Sequence, residues 1–89
     1  MAWAIDFRDT ARKQLGRLAP PDSARIIRFL EERLATHENP RKLGLALKGT
    51  ERGGLWRYRV GDYRIICEIQ DDRLVVLVVE IGHRREIYR

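Results

Sequence analysis

Three strand-like runs joined by two-residue turns fill the second half of this chain, and they limit its fold more than any other feature. In residues 55–60 the apolar Trp56, Tyr58 and Val60 alternate with Arg57 and Arg59. Gly61 and Asp62 make a tight turn, residues 63–70 return, and Asp71 and Asp72 turn the chain into a last strand, 74–81, apolar from Leu74 to Val79. Strands linked this closely must pair antiparallel, because a parallel crossover needs about a dozen residues or more. The two-residue period puts Arg57 and Arg59 on one face, roughly 7 Å apart, and the aromatic side chains on the other.

The first half reads differently. Trp3, Ile5 and Phe7 alternate with Ala4 and Asp6, which predicts a short strand. Asp9 or Thr10 can cap a helix with Ala11, Leu15 and Leu18 inward and Arg8, Arg12, Lys13 and Arg17 outward. The run Pro20-Pro21-Asp22-Ser23 ends it and starts a second helix, since proline suits a helix start and not its interior. There Ile26, Ile27, Leu30 and Leu34 form the apolar stripe, with Phe29 beside it and Arg25, Arg28, Glu32 and Arg33 outward. Asn39-Pro40 stops this helix. Residues 41–54 form a glycine-punctuated connection whose Leu43, Leu45 and Leu47 are expected to tuck against the core. The expected fold is α+β: an N-terminal strand and a two-helix hairpin packed on an antiparallel sheet of about four strands, in one domain spanning 1–89. The opposite sheet face is left to Arg57, Arg59 and Arg64.

Charge narrows the partners. Eighteen Lys and Arg against thirteen Asp and Glu give a net charge of +5, and all but Lys13, Lys42 and Lys48 of the basic residues are Arg. Guanidinium groups grip phosphate through paired hydrogen bonds, so nucleic acid or an acidic protein is the expected partner. The single cysteine, Cys67, allows no internal disulfide and lies in an apolar strand pattern, which suits a small buried side chain. No Cys/His spacing suits zinc and no acidic cluster suits magnesium, so neither a metal nor another cofactor is expected. With no signal peptide and no apolar run of roughly 18 residues, the expectation is a cytoplasmic protein without membrane contact.

The chemistry is concentrated after the last strand, in Gly82-His83-Arg84-Arg85-Glu86-Ile87-Tyr88-Arg89. Guanidinium groups, an imidazole and a phenol emerge together there. Such groups can hold a phosphate and move a proton. A solvated strand face with Glu68 and Glu80 opposite the arginines would explain part of the same pattern. His83 read alone could be a surface residue, and Tyr88 a core aromatic with a wet hydroxyl.

The segment Leu55-Trp-Arg-Tyr-Arg-Val-Gly-Asp-Tyr-Arg-Ile-Ile-Cys-Glu-Ile, followed by Val75-Val-Leu-Val-Val-Glu-Ile-Gly-His-Arg-Arg-Glu-Ile-Tyr88, resembles the RelE/ParE toxin superfamily of type II toxin–antitoxin systems, on the RelE side. The resemblance runs over essentially the whole chain, including Asn39-Pro40 and Leu47-Lys48-Gly49. It implies a toxin that enters the ribosomal A site and cuts mRNA there. The 2′-hydroxyl attacks the adjacent phosphate, leaving a 2′,3′-cyclic phosphate and a free 5′-hydroxyl. It further implies a catalytic set of Arg57, Arg59, Arg64, Arg84 and Tyr88, with His83 as an alternative proton carrier. Lys48, Arg85 and Arg89 are expected RNA contacts. Arg57, Arg59 and Arg64 would neutralise the transition state, Arg84 would support the leaving oxygen, and Tyr88 or His83 would handle the 2′-hydroxyl proton. The best-known ribosome-dependent members carry lysines on the first of these strands, and a guanidinium at Arg59 is a poor base.

The chain ends just after Tyr88, where some relatives continue into a helix, so a partner is expected to order that end. The implied partner is an acidic, RelB-like antitoxin, in a complex that can extend to a toxin–antitoxin heterotetramer. Exposed Arg8, Arg12, Arg17, Arg25 and Arg28 on the helical hairpin would attract it. The alternatives on the same fold are a ParE-like inhibitor of DNA gyrase and an inactive antitoxin-binding module.

Overall fold

The computed structural model describes residues 2–47 and 54–83. Strand β1 (Ala4–Phe7) leads into helix α1 (Asp9–Gly16) and helix α2 (Pro20–Arg28), which continues through a π-helical stretch, Phe29–Leu34. A 3-10 turn (Pro40–Leu43) precedes strands β2 (Leu45–Ala46), β3 (Leu55–Val60), β4 (Tyr63–Gln70) and β5 (Val75–His83). The five strands form one sheet in the order β1-β5-β4-β3-β2. The meander β3-β4-β5 is antiparallel as its short turns require.

Two features differ from the sequence expectation. The sheet is mixed, because β1 lies parallel to β5, with Ala4 beside Val75 and Phe7 beside Val78. A strand followed by two helices has a long enough connection for either direction, so its alternation revealed a strand and not a partner. The extra strand, β2, is two residues long and too short to leave a period in the sequence.

The core lies between the helices and one sheet face. Ala11, Ile26, Leu30 and Leu34 come down from the helical layer onto Tyr58, Ile65, Cys67, Val76, Val78 and Ile81. Burial pushes the Cys67 thiol well above its ordinary range, as befits an inert core side chain. Ile27, expected in the same stripe, is 38% exposed. Helix α1 starts at Asp9, with Arg8 at the N-cap and no side-chain cap; Asp9 instead puts a carboxylate in the first turn, where the helix dipole favours it. In the π-helical stretch the Ala35 amide donates to the Leu30 carbonyl at 2.8 Å, one residue further back than in an α-helix. His37, read from sequence as a surface residue, is half-buried, and its Nδ1 accepts the Asn39 amide at 3.0 Å. Among the described residues, no helix is long and apolar enough to cross a membrane.

A β-bulge controls which way β5 faces. Ile66 pairs with Glu80 and Cys67 with Val78, so Val79 is an extra residue on β5. Before the bulge Val76 and Val78 point into the core; after it Ile81 does, and Glu80 points out. Without the extra residue the alternation would drive Glu80 inward. β1 pairs with β5 only as far as Val78, and beyond it a side chain takes over: the Ile81 amide donates to Gln14 Oε1 of α1 at 2.7 Å.

The segment before β2 is pressed against β3. Tyr58 donates its hydroxyl to the Pro40 carbonyl at 2.9 Å, and burial raises that phenol well above its ordinary range. Arg41 forms a bidentate pair with Asp71, at 2.8 Å for Nη1–Oδ1, and its hydrogen bond holds the Asp71 carboxyl below the usual range. Gly44 lies so close to β3 that a Cβ there would stand 2.7 Å from the Arg57 carbonyl oxygen and 2.7 Å from Tyr58 Cε1.

This packing makes Gly44 and Gln14 sensitive positions. Gly44→Ala should cost about 1–3 kcal/mol, read from the urea midpoint, because backbone and a buried ring must shift. Gln14→Ala should cost about 1–2 kcal/mol by leaving the Ile81 amide without its acceptor, and should speed hydrogen exchange at that amide ahead of Ile65.

Candidate functional site

The sheet face turned away from the helices carries a cationic groove. The register sets it: Arg57 pairs with Ile66 on one side and Leu45 on the other, and Arg59 pairs with Arg64. Residues directly opposite in an antiparallel pair share a face, so Arg57, Arg59 and Arg64 project together. Arg64 is the most enclosed, at 6% exposure, with Arg59 across one strand and Gly82 across the other. Its Nη1 donates to the Tyr63 carbonyl at 3.2 Å. Glycine at position 82 adds no side chain next to this guanidinium.

The groove has a volume of about 350 Å³, with Arg57, Arg59 and Arg64 along it and Lys42, Leu43, Gly44 and Leu45 as its wall. That wall was not foreseen. Leu45 was expected in the core and is 61% exposed, because β2 is an edge strand and its register places Leu45 on the arginine face beside Arg57. In the sequence, only the glycine at position 44 and the Asn39-Pro40 helix stop before it mark this segment.

Electrostatics favour an anion here. Neighbouring exposed guanidinium groups several ångströms apart repel by on the order of 1 kcal/mol per pair, and burial of one of them raises that figure. Glu80 sits across from Ile66, and Glu68 across from Leu55 and Leu77. The exposed apolar side chain of Leu45 beside cations suits a nucleotide, which presents a flat base and a charged phosphate together. Among the described residues no group of His, Cys, Asp and Glu could hold a metal ion.

His83 is not brought into this groove. It pairs with Tyr63, one position beyond the Arg64–Gly82 pair, and therefore lies on the helix-facing side. The two rings meet edge to face, with centroids 5.8 Å apart, and the Tyr63 hydroxyl donates to Asp22 of α2 at 3.2 Å. The bulge at Val79 is the reason, since it shifts the alternation of β5 by one before His83 is reached. The register thus places His83 on the face opposite to the arginines. Lys48, Arg84, Arg85, Tyr88 and Arg89 lie outside the described residues.

Known proteins share this architecture. The family described as the ParE toxin of the type II toxin–antitoxin system parDE matches residues 5–88. Toxin RelG of Mycobacterium tuberculosis is 32% identical over 89 residues, covering 100% of this chain and 99% of its own length. The toxin–antitoxin complex RelBE2 of the same organism superposes with a TM-score of 0.83 at 28% identity, covering 94% of this chain and 93% of that one. The RelB–RelE antitoxin–toxin complex of Methanococcus jannaschii gives a TM-score of 0.71 at 29% identity, covering 93% and 94%. Shared sequence over the full length and a shared fold together assign this chain to the RelE/ParE superfamily, as a toxin of a type II toxin–antitoxin system.

Proposed function

We propose that this toxin is an endoribonuclease of the RelE type, cutting mRNA in the ribosomal A site and so stopping translation. The observation that carries this reading is the groove in which Arg57, Arg59 and the enclosed Arg64 share one face beside Leu45. In the proposed reaction a bond forms between the 2′-oxygen and the adjacent phosphorus while the bond from phosphorus to the 5′-oxygen breaks. The products are a 2′,3′-cyclic phosphate and a 5′-hydroxyl. Charge accumulates on the phosphoryl oxygens at the midpoint, and three guanidinium groups, Arg64 the most enclosed, oppose it. Tyr88 takes the 2′-hydroxyl proton in this reading, the role that the family resemblance implies for it. Arg84 supports the departing 5′-oxygen, which takes up a proton from water as its bond to phosphorus breaks. Lys48, Arg85 and Arg89 add phosphate contacts.

The ParE description of the matching family favours one other reading, inhibition of DNA gyrase with no nuclease step. The two separate in cells: blocked translation marks the nuclease, and blocked replication marks the gyrase inhibitor. Growth that continues after induction would mark an inactive antitoxin-binding module.

A cognate RelB-like antitoxin is the proposed partner, as in the complexes of the relatives. A depression between β1 and the helices, lined by Ile5, Phe7, Leu15, Ile27 and Leu30 with Glu31 beside them, offers a mostly apolar seat, and Arg8 and Arg12 stand exposed nearby in sequence. An acidic amphipathic segment fits that combination.

Cleavage on translating ribosomes, read by primer extension, should fall at least about 100-fold in Arg64→Ala, the range seen when a transition-state donor is lost. Full cleavage by the Arg64→Ala/Arg84→Ala double variant would end the nuclease reading. His83→Ala should leave cleavage nearly intact and instead lose about 0.5–1.5 kcal/mol of stability with the edge-to-face contact on Tyr63. Antitoxin affinity should drop as salt rises and fall about tenfold or more in Ile27→Asp, measured by calorimetry; indifference to both would place the partner elsewhere.

A further inference from the structure

A second cavity, also about 350 Å³, opens between α2 and the β3–β4 turn. Arg25, Arg28, Arg33 and Arg59 line it, with Phe29 and Glu32. Arg59 lines the groove as well, so the two cavities meet at one side chain. The reason is the shortness of β2, which pairs with β3 only at Arg57 and Trp56. From Tyr58 onward that side of β3 has no paired strand among the described residues, and Arg59 is accessible from both cavities.

Arg25 lies directly on the turn, since a Cβ at Gly61 would stand 2.9 Å from its Nη1. Gly61 itself has φ +60°, a conformation that glycine adopts without strain. The Arg33 guanidinium stands over the Phe29 ring, 5.9 Å from its centroid. Among the described residues that line it, the one carboxylate, Glu32, is 3.9 Å from Arg28 Nε in a largely exposed pair, which offsets little charge. Among the described residues no ion pair involves Arg25, Arg33 or Arg59. Of the five helical arginines expected to attract an acidic partner, Arg25 and Arg28 therefore belong to a cleft joined to the groove, whereas Arg8, Arg12 and Arg17 do not line it.

We propose that this cleft holds a backbone phosphate of the same RNA strand that occupies the groove, beyond the linkage to be cut. The proposal rests on the nuclease reading of the groove and adds a second anchoring point to it. Continuity decides among polyanions: a strand lying over Arg57 and Arg59 brings its following phosphates to Arg25 and Arg33. Guanidinium forks suit such phosphates.

Binding of 2′-O-methyl RNA, which cannot be cut by its own 2′-oxygen, tests the cleft without requiring activity. The full chain is titrated with a trinucleotide and with an oligonucleotide of about ten nucleotides, over a range of salt. The longer RNA should bind at least about tenfold tighter than the trinucleotide. Arg25→Ala/Arg33→Ala should erase that gain and flatten the salt slope by about 0.7 for each phosphate no longer neutralised, leaving the trinucleotide unaffected. Arg25→Lys/Arg33→Lys should keep most of the gain. Unchanged binding of the longer RNA by the alanine variant overturns the proposal, as does equal weakening of both RNAs. An alanine variant that loses only an acidic antitoxin peptide overturns it too, by making the cleft a protein-docking surface. Arg64→Ala separates the two readings: it should weaken the trinucleotide, and indifference there would fault the groove whatever Arg25 and Arg33 do.

Discussion

The pairing of β4 between β3 and β5 is the constraint on which this molecule depends. It commits one face to burial under the helices and leaves the other to guanidinium groups, and a slip of one residue would exchange the two. Tyr58, Ile65 and Cys67 would then meet water, and Arg57, Arg59 and Arg64 would meet the helices. Burial of those core side chains, each worth about 1.5–3 kcal/mol for the large ones, strongly disfavours the slipped register. The groove is thus a consequence of the core on the opposite face.

Within that frame the bulge at Val79 has a second, separable effect. It lets an uninterrupted apolar strand end with Glu80 outward and Ile81 inward, and it carries Gly82 to the arginine face and His83 to the helical one. Bulges often stand beside active sites because they re-aim side chains. Here the re-aimed residue opposite Arg64 is a glycine. Gln14 then accepts the Ile81 amide where β1 no longer pairs, so helix α1 helps to hold the strand that borders the groove.

The groove wall comes from a segment with little regular structure of its own. Pro40 accepts the Tyr58 hydroxyl, Arg41 pairs with Asp71 and stands over Trp56, and Gly44 permits backbone contact with β3. These contacts fix a short edge strand that ends before Tyr58, and the shortness has a consequence for charge. The cationic surface runs past the groove, around the open side of β3, to the cleft at α2.

Much of this was legible in the residues. Alternation in 55–60 and 63–70 named the strands and assigned Arg57 and Arg59 to one face, because a period of two is a local property of the chain. The helices followed from Pro20 and Pro21 and the spacing of Ile26, Leu30 and Leu34. Family likeness, carried by the Gly61-Asp-Tyr-Arg64 and Gly82-His-Arg-Arg-Glu-Ile-Tyr88 elements, supplied the toxin class. Tertiary structure alone decided the parallel pairing of β1, the exposure of Leu45, and the face on which His83 stands. Each of those depends on a neighbour distant in sequence: β5 for β1, β3 for β2, and the unequal lengths of β4 and β5 for the bulge. Local pattern specifies what a segment can be, whereas the partner that buries one of its faces determines where its remaining side chains point.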